Sequence, residues 1–125
     1  IVPNQKADKI IDMAANHILA IAPPYVHVTV DKIDAGNGFL IPITSDAYIA
    51  ASKAMAEVYG IEPVPSRGGG SICVLAEMRN ILGADPLLMG FGLERDTIHS
   101  PNESYLLKQF YAGIESITLF YQYWK

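Results

Sequence analysis

One histidine and one glycine-rich turn carry the residue types on which chemistry could be built. His99 follows a short apolar run, Leu87 to Phe91, and precedes Ser100-Pro101-Asn102-Glu103. That tetrapeptide reads as a capping box, with Ser100 at the N-cap and Pro101 at the first helical position. The spacing therefore predicts that His99 stands just ahead of a long terminal helix. The partial positive charge there would disfavour an imidazolium and keep the ring neutral, as a metal ligand must be. The plainer alternative is a surface loop histidine.

Arg67-Gly68-Gly69-Gly70-Ser71 is the second candidate. Three glycines let backbone approach a ligand closely, and N–H groups ahead of a helix favour an anion. Arg67 adds a forked donor and Ser71 a hydroxyl, a set suited to a carboxylate or phosphate. No Gly-Lys-Ser/Thr follows, so this is not a nucleotide P-loop. A flexible strand-to-helix turn explains the same composition. Cys73 is either a thiol activated in the first helical turn or small core filling. His17 and His27 read as structural or solvated. Paired carboxylates are absent: there is no His-x-Asp, Glu-Glu or His-Glu-x-x-His, and Asp12, Asp31, Glu57 and Glu77 are scattered. A hydrolytic metal site needs several such groups, so most ligands of any site containing His99 are missing from this chain.

The elements that must position these residues follow from periodicity. Ala7, Ile10, Ile11, Ala14, Ile18 and Ile21 predict a helix over 5–21, with Asn4 at its N-cap and Pro23-Pro24 beyond its end. Val26, Val28 and Val30 alternate with polar residues as in a strand, and Ile1-Val2 reads as another. Ala35-Gly36-Asn37-Gly38 is a linker, and the domain boundary is placed there. Phe39 to Ile43 is a short apolar run. Thr44-Ser45-Asp46 and Gly60 bracket a helix. Ile61 to Pro65 is extended, Ile72 to Leu82 is a helix stopped by Gly83, and Leu87 to Phe91 is a buried strand. Leu106, Leu107, Phe110, Ile114, Ile117 and Tyr121 make one apolar face on the last helix. The fold class is α/β.

Composition narrows the function classes. The 125 residues are 50% hydrophobic and 18% charged, with a mean hydropathy of +0.21, which excludes a disordered chain. Nine Lys and Arg against 13 Asp and Glu give −4, a poor balance for binding nucleic acid. One cysteine excludes an internal disulfide and a cysteine zinc cage. No apolar stretch is long enough for a membrane span. The chain opens Ile1-Val2-Pro3 without a Met and reads as a piece of something longer, or as a mature protein trimmed at its start.

Taken in order, Ile1-Val2-Pro3-Asn4-Gln5, Gly36-x-Gly38, Arg67-Gly68-Gly69-Gly70-Ser71-Ile72 and His99-Ser100-Pro101-Asn102-Glu103 resemble the C-terminal part of the di-metal peptidases related to carnosinase, carboxypeptidase G and aminoacylase. The likeness is nearest to the cytosolic carnosinase-like dipeptidases and spans essentially the whole chain. The resemblance implies a phosphorylase/hydrolase-like α/β/α catalytic domain and an inserted ferredoxin-like lid that dimerises. Residues 1–35 would be the last β-α-β of the lid, and 36–125 the return into the catalytic domain. It also implies two divalent metals, zinc in most members, with manganese or cobalt as alternatives. His99 falls on the family's terminal histidine ligand. Ser71, with Gly69 and Gly70, falls on the loop that holds the substrate carboxylate, and Arg67 lies beside it. The catalytic residues themselves would lie outside this chain. Two positions depart from the pattern: the branch commonly has Glu at Gly68 and Pro at Cys73.

The expected function is hydrolysis of dipeptides or N-acyl amino acids by a cytoplasmic, homo-oligomeric enzyme, with this chain alone inactive. Two other readings stay open: an anion-binding module without metal, and an oligomerisation scaffold.

Overall fold

The structure is a computed structural model, which describes residues 1–68, 72 and 74–125. Among the described residues four helices order the chain: α1 (Ala7–Ile21), α2 (Asp46–Tyr59), α3 (Val74–Leu82) and α4 (Leu107–Tyr123), with a 3-10 turn at Glu94–Asp96. The described residues contain no strand. This corrects the strands expected at Ile1-Val2, Val26–Val30 and Leu87–Phe91. Their backbones are extended and keep a trace of the alternation: Val28 and Val30 are half-buried, while His27, Thr29 and Asp31 are exposed. A strand, however, exists only where a neighbour completes its ladder, and these segments meet none among the described residues. The residues group into two compact units, Ile1–Leu40 with Arg67–Pro86, and Ile41–Ser66 with Leu87–Lys125.

In the first unit, α1 begins two residues later than its periodicity suggests. Asn4 does not cap it. Pro3 and Asn4 instead form a turn, closed by Gln5 N–H donating to the Val2 carbonyl at 3.4 Å, with Asn4 at φ 71°. Asn tolerates that left-handed position and Pro prefers the one before it. The cap comes from 30 residues away: Asn37 Oδ1 accepts from the Ala7 N–H at 3.0 Å. Neither Gly36 nor Gly38 adopts a positive φ. Gly38 is needed for closeness, because a Cβ there would lie 2.5 Å from the Ile1 carbonyl oxygen and 3.0 Å from the Val2 carbonyl carbon. An ion pair between Lys32 and Asp12 ties the chain after α1 back onto it. α3 ends on Gly83 at φ 65°, whose N–H donates to the Arg79 carbonyl at 2.9 Å. Arg79 also pairs with Asp85 at 2.6 Å.

In the second unit, α2 has the ends its sequence predicts. Ser45 Oγ accepts from the Tyr48 N–H at 3.2 Å, and Gly60 closes the helix at φ 73°. α2 packs on α4. The buried residues are small: Ala50, Ala51 and Ala54 on α2, and Gly113 and Ser116 on α4. The apolar face expected to bury α4 points outward instead, with Leu107 72%, Phe110 49% and Tyr121 67% exposed. Small side chains let two helix backbones approach closely, and that contact here prevails over the larger apolar stripe. Phe91 covers Gly113, where a Cβ would stand 3.3 Å from its ring. At the far end the Trp124 ring stacks on Phe120, centroids 5.4 Å apart.

Gly38→Ala is expected to lower stability by about 1–3 kcal/mol, read as a smaller urea midpoint at unchanged slope. Gly68→Ala has open space around the added methyl and should shift stability by less than about 0.5 kcal/mol in the same measurement.

Candidate functional site

His99 sits in a loop built around one carboxylate. Leu93 enters in an extended conformation, the 3-10 turn Glu94–Asp96 follows, and Asp96 is only 2% exposed. Asp96 Oδ2 accepts from the Leu93 N–H at 2.7 Å. The Asp96 carbonyl accepts from the Ser104 N–H at 3.0 Å, so one residue holds both edges of the loop. Between them Thr97, His99 and Asn102 take φ values of 50°, 62° and 64°. Such values are uncommon outside glycine, and for a β-branched residue such as Thr97 they mark a genuine outlier. The Thr97 hydroxyl donates to the Asn102 carbonyl at 3.2 Å, and the His99 N–H donates to Glu103 Oε2 at 3.4 Å.

This geometry corrects the placing of His99 beside a helix end. Ser100-Pro101-Asn102-Glu103 forms a turn, with the Glu103 N–H on the Ser100 carbonyl at 3.2 Å. Helix α4 starts at Leu107, with Leu106 at the N-cap. Asn102 at a left-handed φ cannot lie within a helix, and the Ser104 bond to Asp96 turns the chain away first. His99 therefore precedes a turn and not the first turn of a helix, and it is exposed.

An exposed imidazole suits a divalent ion, but a single donor does not hold one. Among the described residues no group of three or more His, Cys, Asp or Glu could hold a metal. The residues present therefore supply one corner of such a site at most, and no catalytic step through a metal follows from them.

Of the anion-loop candidates, Arg67 is exposed. Gly69, Gly70 and Ser71, and also Cys73, lie outside the described residues. Arg67 belongs to the first unit and His99 to the second, and neither unit gathers two described candidates. His17 and His27 are exposed, in keeping with a solvated reading.

Two features escaped the sequence reading. Asp96 is one; nothing in Leu93-Glu94-Arg95-Asp96 marks its fourth residue as buried. The other is a cleft at the end of α2 and α4, lined in part by Asp46, Ile49, Lys53, Tyr123 and Trp124. There the Lys53 ammonium lies 3.8 Å from the Tyr123 ring centroid, and the Tyr123 hydroxyl donates to Glu57. That hydrogen bond, then burial and the Glu57 charge, pushes the Tyr123 phenol above its ordinary range. Tyr59 is also raised, first by burial and then by Tyr105, and its buried hydroxyl has no partner among the described residues.

The Tyr59 shift has a definite sign. A raised folded-state pKa contributes stability that is complete below the ordinary value of 10.0 and is lost as pH climbs through the raised one. Tyr59→Phe should remove that alkaline loss while leaving neutral-pH stability within about 0.5 kcal/mol, because no hydrogen bond is forfeited. Denaturation at neutral and alkaline pH, with phenolate absorbance followed in parallel, checks both.

Comparison with known proteins sets these features in context. Residues 2–123 match the profile of peptidase family M20/M25/M40. The Cys-Gly metallodipeptidase DUG1 of Candida albicans is 28% identical over 98% of this chain and 26% of its own length. The Saccharomyces cerevisiae protein of the same name is 34% identical over 62% of this chain and 16% of its own length. The Schizosaccharomyces pombe protein is 27% identical over 91% and 25% respectively. The chain thus spans about a quarter or less of the curated relatives it matches. No solved structure matches.

Proposed function

The chain belongs to peptidase family M20/M25/M40, and on that footing we propose that the protein carrying it is a metal-dependent hydrolase of dipeptides. The observation that carries this reading is the family match over residues 2–123. The relatives named Cys-Gly metallodipeptidase support it. A divalent ion, when bound, supplies carbonyl polarisation and an acidified water, which is the chemistry amide hydrolysis requires. What this chain contributes is narrower. His99 offers one imidazole donor from an exposed, left-handed turn. Arg67 offers a guanidinium just ahead of Gly69-Gly70-Ser71 in the sequence, to bind and orient the substrate's carboxylate. The remaining metal donors and the catalytic base come from outside residues 1–125.

The same reading gives the extended segments a purpose. Val26–Val30 and Leu87–Phe91 would be strands of an α/β parent, pairing with strands outside this chain. Residues 1–35 would close a ferredoxin-like lid that dimerises, and 36–125 would complete a phosphorylase/hydrolase-like catalytic domain. Two zinc ions and a cytoplasmic location complete the proposal. No helix among the described residues is long and apolar enough to cross a membrane.

The full-length protein should hydrolyse Cys-Gly and Ala-Gly, lose that activity to a chelator, and regain it with zinc or manganese. An N-acetyl amino acid run alongside tells dipeptidase from deacylase. Arg67→Ala should raise KM about tenfold, the worth of a charge-assisted hydrogen bond, with a smaller change in kcat. The 125-residue chain alone should cleave neither substrate. Absence of hydrolysis by the metal-loaded full-length protein would overturn the proposal.

A further inference from the structure

We propose that Asp96 is a positioning residue for His99, acting through the main chain by tying together the two edges of the left-handed turn that carries the imidazole. The inference rests on the reading of His99 as a metal donor and adds what holds that donor in place. Three residues between Leu93 and Ser104 have positive φ values; His99 and Asn102 tolerate that region, whereas β-branched Thr97, the residue after Asp96, adopts it only when its surroundings impose it. Inside the turn Thr97 bonds to Asn102 and His99 to Glu103, but the contacts that join its two edges converge on Asp96. Its Oδ2 accepts from the Leu93 N–H at 2.7 Å, its own N–H donates to the Leu93 carbonyl at 2.9 Å, and its carbonyl accepts from the Ser104 N–H at 3.0 Å.

The choice of residue is informative. Asp96 is 2% exposed and its second oxygen, Oδ1, is buried without a hydrogen-bond partner among the described residues. A buried carboxylate that fills only one oxygen is a poor way to pack a turn; an apolar side chain would be buried more easily. What Asp supplies, and no apolar residue can, is an acceptor at the Leu93 N–H. That acceptor closes the turn three residues ahead of His99 and fixes where the ring emerges.

The test uses the full-length protein loaded with zinc and challenged with EDTA, with amide hydrogen exchange followed over 97–103. Three variants are compared: Asp96→Ala, Asp96→Asn, which keeps an oxygen for the Leu93 N–H, and His99→Asn, which tolerates the left-handed backbone but lacks the imidazole. Asp96→Ala should speed both amide exchange in the turn and zinc release about tenfold or more. Asp96→Asn should restore both to near the wild-type values. His99→Asn should speed zinc release and leave the exchange rates near wild type. If Asp96→Ala loosens the amides while zinc release stays at the wild-type rate, Asp96 is only a structural clamp and the inference is wrong, with the role of His99 intact. If Asp96→Asn is as damaging as Asp96→Ala, the acceptor argument is wrong. Wild-type zinc release by His99→Asn would remove the donor reading, and this inference with it. Should Asp96→Ala not accumulate as folded protein, Asp96→Ser, whose hydroxyl is one bond too short, takes its place under the same criteria.

Discussion

A backbone N–H or carbonyl withdrawn from water has to be paired, and a helix can do this within itself whereas a strand cannot. Much of this chain follows from that difference. The regular elements among its described residues are the segments whose hydrogen bonds close internally. Segments whose side chains alternate as in strands stay extended and unpaired among the described residues. The loops between them are held by side chains that substitute for a ladder, with Asn37 serving Ala7 and Asp96 serving Leu93.

The same constraint bears on burial. Among the described residues the buried hydrophobic ones are all alanines: Ala7, Ala15, Ala50, Ala51, Ala54 and Ala76. Layers of larger side chains need two faces brought together, and a sheet is the usual way to supply one of them. Where two helices do meet, α2 and α4, they meet through residues with almost no side chain, and Leu107, Phe110, Ile114 and Ile117 of α4 are left exposed. Apolar composition therefore says how much could be buried in an assembled protein, not how much one stretch of it buries.

What could be read in advance was local. Ser45 and Gly60 bracket α2 because a cap depends on residues within one turn, and Gly83 ends α3 for the same reason. Ser100-Pro101-Asn102-Glu103 has equally good local chemistry and still fails to start a helix, because the Ser104 tie to Asp96 redirects the chain. The Asn37 cap was illegible because its partner is 30 residues distant. Of the candidate residues, His99 and Arg67 stand out by residue type and sequence setting. Asp96 was not, since burial of a carboxylate is decided by the fold around it and leaves no periodic mark.

The stacked pair at the end of α4 makes the chain unusually easy to watch. Trp124 is its sole indole, half-exposed and resting on Phe120 beyond the last helical turn. Indole emission, excited selectively past the seven tyrosines, therefore reports one place, the C-terminal end of α4. Fraying there would move the colour and lifetime of the signal.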